Sequence, residues 1–177
     1  MTVDQCGFAQ ARKSVAWLGL LLVMILLGST SPAPAQSGGV TGLPLPRFVS
    51  LRADEVNLRS GPGTRYPIEW TYVRRGLPVE ITAEYDNWRR IREFDGTTGW
   101  IHRSLLSGQR TVLVAGDTRT LYDEPDTAAR TVLRAEPGVQ GSLLSCAGAW
   151  CQIAIGDVRA FIPRSHIWGV YANEQIN

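Results

Sequence analysis

One pattern is written twice in this chain, about 62 residues apart. Leu58, Pro62 and Thr64 recur as Leu121, Pro125 and Thr127; Gly76, Trp88 and Ile91 recur as Gly138, Trp150 and Ile153. Trp100-Ile101 and Arg103-Ser104 recur as Phe161-Ile162 and Arg164-Ser165. The offset slides from 63 to 62 to 61, so each slip is a one-residue deletion in a loop. A repeat of about sixty residues sets the folding unit as a small domain, not a solenoid turn.

Residues 1–35 read as a secretory leader. Arg12 and Lys13 precede an apolar run from Val15 to Leu27, and small residues lead to Ala33-Pro34-Ala35. That is a charged segment, an apolar segment and a small-x-small cleavage site, so cleavage is expected after Ala35. The run of thirteen is short for a helix crossing a hydrocarbon core of about 30 Å. The alternative is a retained membrane anchor. Residues 36–47, rich in Gly, Pro and Ser, read as a flexible linker. The polyproline-like Leu43 to Arg47 is a spacer or, on a sharper reading, a ligand for a groove elsewhere.

Beyond residue 35 the chain keeps 16 basic and 15 acidic residues, and every one of those basic residues is Arg. A balance this even gives no broad field for nucleic acid or a membrane surface. Two cysteines remain, Cys146 and Cys151. In an exported chain a close pair is most simply a disulfide. They occupy the positions of Glu84 and Arg89 in the first copy, and opposite charges stabilise facing positions on neighbouring strands. The two copies therefore close one hairpin by different chemistry, a disulfide against an exposed ion pair. Metal ligation with His102 and His166 matches no familiar zinc spacing, and no cofactor is expected.

No segment after the leader keeps a 3.6-residue apolar period. Short runs rich in β-branched and aromatic residues alternate with turn residues, which predicts an all-β barrel or sandwich. Strands are expected at 54–58, 77–84, around 88–93 and at 98–103, with an irregular loop from Ser60 to Tyr72. Gly61 and Gly63 allow positive φ, and Pro62 fixes a turn between them. Asp95-Gly96 signals a tight hairpin, and residues 104–106 a single helical turn. Alternation along a strand with Ile101 inward sets Trp100 and His102 together on the other face.

Val56-Asn57-Leu58-Arg59-Ser60-Gly61-Pro62-Gly63-Thr64, then Gly76, Trp88, Gly99-Trp100-Ile101-His102 and Leu105-Leu106, resembles the bacterial SH3 (SH3b) family over residues 48–107. The closest likeness is to the tandem type of exported α-proteobacterial proteins. The resemblance implies two tandem SH3-like small β-barrels, the second (110–170) degenerate. It also implies non-catalytic recognition of cell-wall peptides or envelope proteins. The second copy has Thr120 to Thr127 in place of the glycine-rich signature, so it needs another way to turn, with Asp126 expected in a left-handed conformation.

The candidate ligand-binding residues are Arg59, Arg65, Trp70, Tyr72, Trp100 and His102. Flat aromatics grip an extended ligand at little ordering cost, and Arg59 and Arg65 can hold a carboxylate of a peptidoglycan stem peptide. Convergence of loop and strand on one groove is the expectation. The competing reading is a scaffold of two packed barrels; burial of the Trp70–Trp100 face against the second copy would favour it. A small cell-wall hydrolase is the weaker alternative. A nucleophile needs a base and an orienting group, and Cys151 with His166 is the one tempting pair.

Overall fold

The computed structural model describes residues 39–177. The expected leader and the first residues of the linker lie outside the described residues. From residue 47 the chain alternates strand and turn, as the short apolar runs predict. The strands of the first copy are β1 (Arg47–Leu51), β2 (Val56–Arg59), β3 (Ile68–Tyr72), β4 (Pro78–Tyr85), β5 (Trp88–Arg92), β6 (Thr98–His102) and β7 (Leu106–Ser107), with a 3₁₀ turn at Arg103–Leu105. They form one antiparallel sheet in the order β3-β2-β6-β5-β4-β1-β7. The second copy supplies β8 (Thr111–Val114), β9 (Arg119–Tyr122), β10 (Thr131–Ala135), β11 (Gln140–Ala147), β12 (Trp150–Ile155), β13 (Val158–Pro163) and β14 (Ile167–Trp168). Its order is β10-β9-β13-β12-β11-β8-β14, the same topology strand for strand.

Each sheet closes on its own apolar core. Leu58, Ile91 and Ile101 are fully buried in the first, and their repeat partners Leu121, Ile153 and Ile162 in the second. The two tandem small β-barrels expected from the sequence are the fold. Two strands escaped the pattern. In β1 the residues from Phe48 to Leu51 are all buried, so no alternation advertises the strand. In β3, inside the supposed loop, four of five residues are exposed.

The loop signature works differently from the expectation. Neither Gly61 nor Gly63 has a positive φ; a Cβ on Gly61 would lie 2.4 Å from the Tyr66 ring. Gly61 is required by close approach of that ring. In the second copy Asp126 is not left-handed. Its carboxylate accepts the Ala128 N–H at 2.9 Å, a turn closed by a side chain.

The described residues, 39–177, lie within one compact unit. The barrels meet through equivalent strands. All four residues of β8 are buried, as are four of the five in β1. A strand covered on both faces loses the alternating pattern. Val49 and Leu51 face the first core; Val112 and Val114 face the second. Leu113 of β8 joins the first core. Phe48 lies edge-on to Trp168 (5.0 Å between centroids) and 4.7 Å from Tyr171, and Phe94 lies 6.0 Å from Trp168. Polar bonds close the seam. Thr111 Oγ1 donates to Gly76 O at 2.7 Å, Tyr171 Oη to Glu80 Oε1 at 2.9 Å and Arg74 Nη2 to Gly138 O at 3.0 Å.

The seam predicts mutual dependence. Phe48→Ala is expected to cost about 3 kcal/mol and to lower the urea midpoint of both barrels, followed by circular dichroism. Residues 48–108 alone are expected to be far less stable than the pair; full two-state stability of that fragment contradicts the shared interface. Reduction of Cys146–Cys151 is expected to remove about 2 kcal/mol, read as a thiol-dependent fall in Tm that a Cys146→Ser variant no longer shows.

Candidate functional site

The hairpin β4–β5 and its copy β11–β12 place Glu84 opposite Arg89 and Cys146 opposite Cys151. Cys146 and Cys151 are disulfide-bonded. In the first copy Arg89 Nε lies 3.2 Å from Glu84 Oε1, and Arg47 pairs with the same carboxylate. The expected ion pair is present but not exposed, since the Glu84 side chain is wholly buried and that of Arg89 nearly so. Thr41 adds its N–H (2.9 Å) and hydroxyl (2.8 Å). Burial alone would raise the Glu84 pKa, but the Arg47 guanidinium and the two Thr41 donors hold it down to about 2. The same contacts tie down residues that read as flexible linker.

Among the candidate ligand residues, Arg59 is engaged within its own loop. Its Nη1 donates to Thr64 O (3.1 Å) and Tyr66 O (2.7 Å), bracing the Gly-Pro-Gly turn. Arg65 is exposed and lies over the Tyr66 ring at 5.2 Å. The aromatics divide between the two faces of the sheet. Trp70 stands opposite Leu58, which faces the core; Trp100 stands opposite Arg59 and Arg90, which face outward. Neighbouring residues on a strand point to opposite faces, so Trp70 and Trp100 do not share the expected groove. His102 lies edge-on to Trp88 at 5.4 Å, and its Nδ1 meets Ser104 Oγ at 2.7 Å, capping the 3₁₀ turn.

What gathers at the open rim of β3 is a different set. Trp70 is 60% exposed, and Ile68 and Val73 beside it are exposed too. Tyr72 is buried below, donating its hydroxyl to Glu93 Oε2 at 2.9 Å. Burial and that bond push the Tyr72 pKa well up. Burial also raises Glu93, with Asp95 adding to the effect against the Tyr72 bond. Asp95 itself is lowered by the Thr97 N–H. The cleft holds about 300 Å³ and is lined by Leu58, Glu69, Trp70, Tyr72, Glu93, Asp95 and Thr97. Among the described residues none of its three carboxylates has a salt-bridge partner. Sequence reading missed Glu69, Glu93 and Asp95 because scattered acids in turns carry no periodic signal.

A family model described as "Bacterial SH3 domain" matches residues 52–108 and again 115–169. This chain belongs to the bacterial SH3 domain family. The tandem SH3 chain is also 26% identical over 128 residues to "Putative N-acetylmuramoyl-L-alanine amidase YrvJ" of Bacillus subtilis (strain 168). The match covers 66% of this chain and 24% of that protein, so the chain spans about a quarter of its relative. Among solved structures it is similar to NlpC2 from Trichomonas vaginalis (12% identity, TM-score 0.33, 70% of this chain and 48% of that one). It is similar as well to an NlpC/P60 family protein from Bacillus cereus ATCC 10987 (13%, 0.31, 68% and 55%).

The buried Glu84 makes acid the natural probe of the first SH3 barrel. Its folded pKa, about 2, lies below the usual 4.5. Its stabilising contribution is therefore complete above the unfolded value and is lost as pH falls through the folded one. Stability of the first barrel is expected to decline between about pH 5 and pH 2. Glu84→Gln strands the buried Arg89 and is expected to cost roughly 3 kcal/mol at pH 7, while flattening that part of the acid limb. Denaturation midpoints of both proteins at a series of pH values check this.

Proposed function

We propose that this tandem SH3 chain is an exported, non-catalytic binding module that recognises a cell-wall peptide through the rim of its first barrel. The observation carrying this reading is the state of Trp70. Its repeat partner Leu133 packs on the core of the second barrel, each standing opposite the matching leucine, Leu58 or Leu121. Trp70 instead stays in solvent beside an acid-lined cleft. The seam between the barrels is built on β1, β8 and β14 and reaches Arg74 and Phe94 near this rim, yet it leaves Trp70 uncovered. Exposed apolar surface without a packing role marks an interaction site. A flat indole next to unpaired carboxylates suits an ammonium group, which draws on both charge and ring face. Amine-bearing diamino-acid residues of a stem peptide have that chemistry.

The likeness to a protein named as a cell-wall amidase supports a cell-envelope setting, as does a disulfide, which persists in oxidising compartments. Export through the leader, with cleavage after Ala35, is part of the proposal. Several observations support recognition over hydrolysis. The Cys151 sulfur is tied to Cys146, and the His102–Ser104 contact is a turn cap with no third, orienting group bonded to the imidazole among the described residues. The scaffold reading draws on the Phe48–Trp168–Tyr171 seam, which explains the pairing of the barrels but leaves the Trp70 rim without a role.

Titration of ¹⁵N-labelled residues 36–177 with a muropeptide carrying a free diamino-acid amine tests the reading. Shifts are expected at Trp70, Tyr72, Glu93 and Asp95. Trp70→Ala is expected to weaken binding about tenfold or more with little change in Tm. No perturbation at millimolar muropeptide overturns the proposal and favours the scaffold.

A further inference from the structure

The second barrel carries a peptide segment of its own at the end formed by the β11–β12 hairpin. Residues 171–174 make a turn in which Glu174 N–H donates to Tyr171 O at 3.2 Å. Two arginines hold it. Arg164 Nη1 donates to Tyr171 O (2.6 Å) and Glu174 O (2.7 Å), while Arg110 Nη2 meets Glu174 Oε2 at 3.0 Å. Two residues on, Ile176 pairs with the edge of β11: Cys146 N–H donates to Ile176 O (2.8 Å) and Ile176 N–H to Cys146 O (3.2 Å). Arg164 is only 7% exposed.

Among the described residues the first barrel repeats the holder without the segment. Arg103 takes the place of Arg164, and both N–H groups make the same bond, to Asn87 O and Ala149 O at 2.8 Å. Arg47 takes the place of Arg110, and Glu84 that of Cys146. The Cα atoms of Cys146 and Cys151 are 4.1 Å apart, the narrow spacing whose backbone groups point away from the partner strand. By the same register Glu84 turns its main-chain N–H and C=O to the open edge. Gly148 O, which accepts from Arg164 Nε at 3.0 Å, corresponds to Asp86 O, which Arg89 Nη1 occupies at 2.9 Å. Arg103 is thereby left exposed, its guanidinium without a hydrogen-bond partner among the described residues. It lines a cleft of about 570 Å³ with Arg47, Asn87, His102 and Ser104. Thr41 forms part of the wall, but it bonds the Glu84 carboxylate, not the Glu84 main chain.

We propose that this cleft is a second peptide site, separate from the Trp70 rim, and that its occupant is an acidic peptide that turns and then extends. Arg103 takes the first and fourth carbonyls of the turn, as Arg164 does. A residue two places further pairs with the main chain of Glu84, adding one strand residue at the free end of β4. Three guanidinium groups line the cleft, Arg47, Arg89 and Arg103; the first two share the Glu84 carboxylate, so the site carries net positive charge and favours an acidic residue in the turn. The segment held by the second barrel, with Glu174 in its turn, is the template for this occupant.

The probe is an acetylated synthetic octapeptide with the sequence of residues 170–177, added to ¹⁵N-labelled residues 36–177. Saturable amide shifts are expected at Glu84, Asn87, Arg103 and Ser104. Arg103→Ala is expected to weaken them about tenfold, Arg103→Lys less, and Trp70→Ala not at all, with melting curves confirming that each variant folds. Absence of shifts in the first barrel at millimolar peptide, or shifts confined to the surroundings of Ala149 and Arg164, overturns the proposal. Muropeptide shifts at Trp70 alongside a silent octapeptide leave the first site standing and sink this one. The reverse pattern does the opposite.

Discussion

Burial of one strand from each repeat on both of its faces is the constraint from which the rest of this structure follows. A barrel of sixty residues removes only about 60% of its unfolded surface from water and is marginal alone. β1 and β8 relieve that limit together. Each gives one face to its own core and the other to the neighbouring barrel, and Leu113 completes a core that belongs otherwise to the first repeat. The connector can be short because these strands flank it. The aromatic seam of Phe48, Trp168 and Tyr171 is anchored by Tyr171 on Glu80, which pairs in turn with Arg92.

The end of each barrel beneath its second long hairpin shows how one backbone position accepts unrelated chemistry. Facing side chains join there in both barrels. Two cysteines do so with a covalent bond and little volume. Glu84 and Arg89 do so with buried charges, which demand further donors, and Thr41 and Arg47 supply them. An ion pair taken out of water is stable only when its remaining lone pairs are satisfied. The first barrel therefore holds the chain ahead of β1 by side-chain bonds to Glu84. The second, with no charge to satisfy, leaves its main chain free to pair with Ile176.

The sequence was most legible where burial is one-sided. The repeat, the hairpin strands β4, β5 and β6, the facing Glu84–Arg89 and Cys146–Cys151 pairs and the inward Ile101 all follow from period-two alternation and composition. Legibility failed at its two limits. β1 is buried on both sides and β3 is exposed on nearly all of its length, so neither alternates. The site suffered more than the fold, because face assignment along one strand says nothing of which face a second strand presents. Convergence of loop and strand suggests one groove for Trp70 and Trp100, and the register of β2 between them sets them on opposite sides. The sequence offers Arg59 as a holder of a ligand carboxylate, yet its partners are main-chain carbonyls of its own loop, which no side-chain pattern announces.

The order of strands bears on how two barrels can lean on each other and still keep a strand exposed. In each sheet the interface strand lies near one end of the order, β1 beside β7 and β8 beside β14, while β3 or β10 ends the other. Packing is centred on the β1 and β8 end, and although Arg74 and Phe94 carry the seam toward the other end, Trp70 on β3 stays exposed. The repeats then diverge on that rim. Leu133 turns β10 into part of a core; on β3 Trp70 stays exposed beside three acids that have no salt bridge among the described residues. An exposed edge strand with bare indole invites unwanted pairing. Glu69 places a charge on that edge strand, a device that disfavours pairing with a second copy, and the acid-lined cleft beside Trp70 is the feature on which the proposed recognition of a cationic group rests.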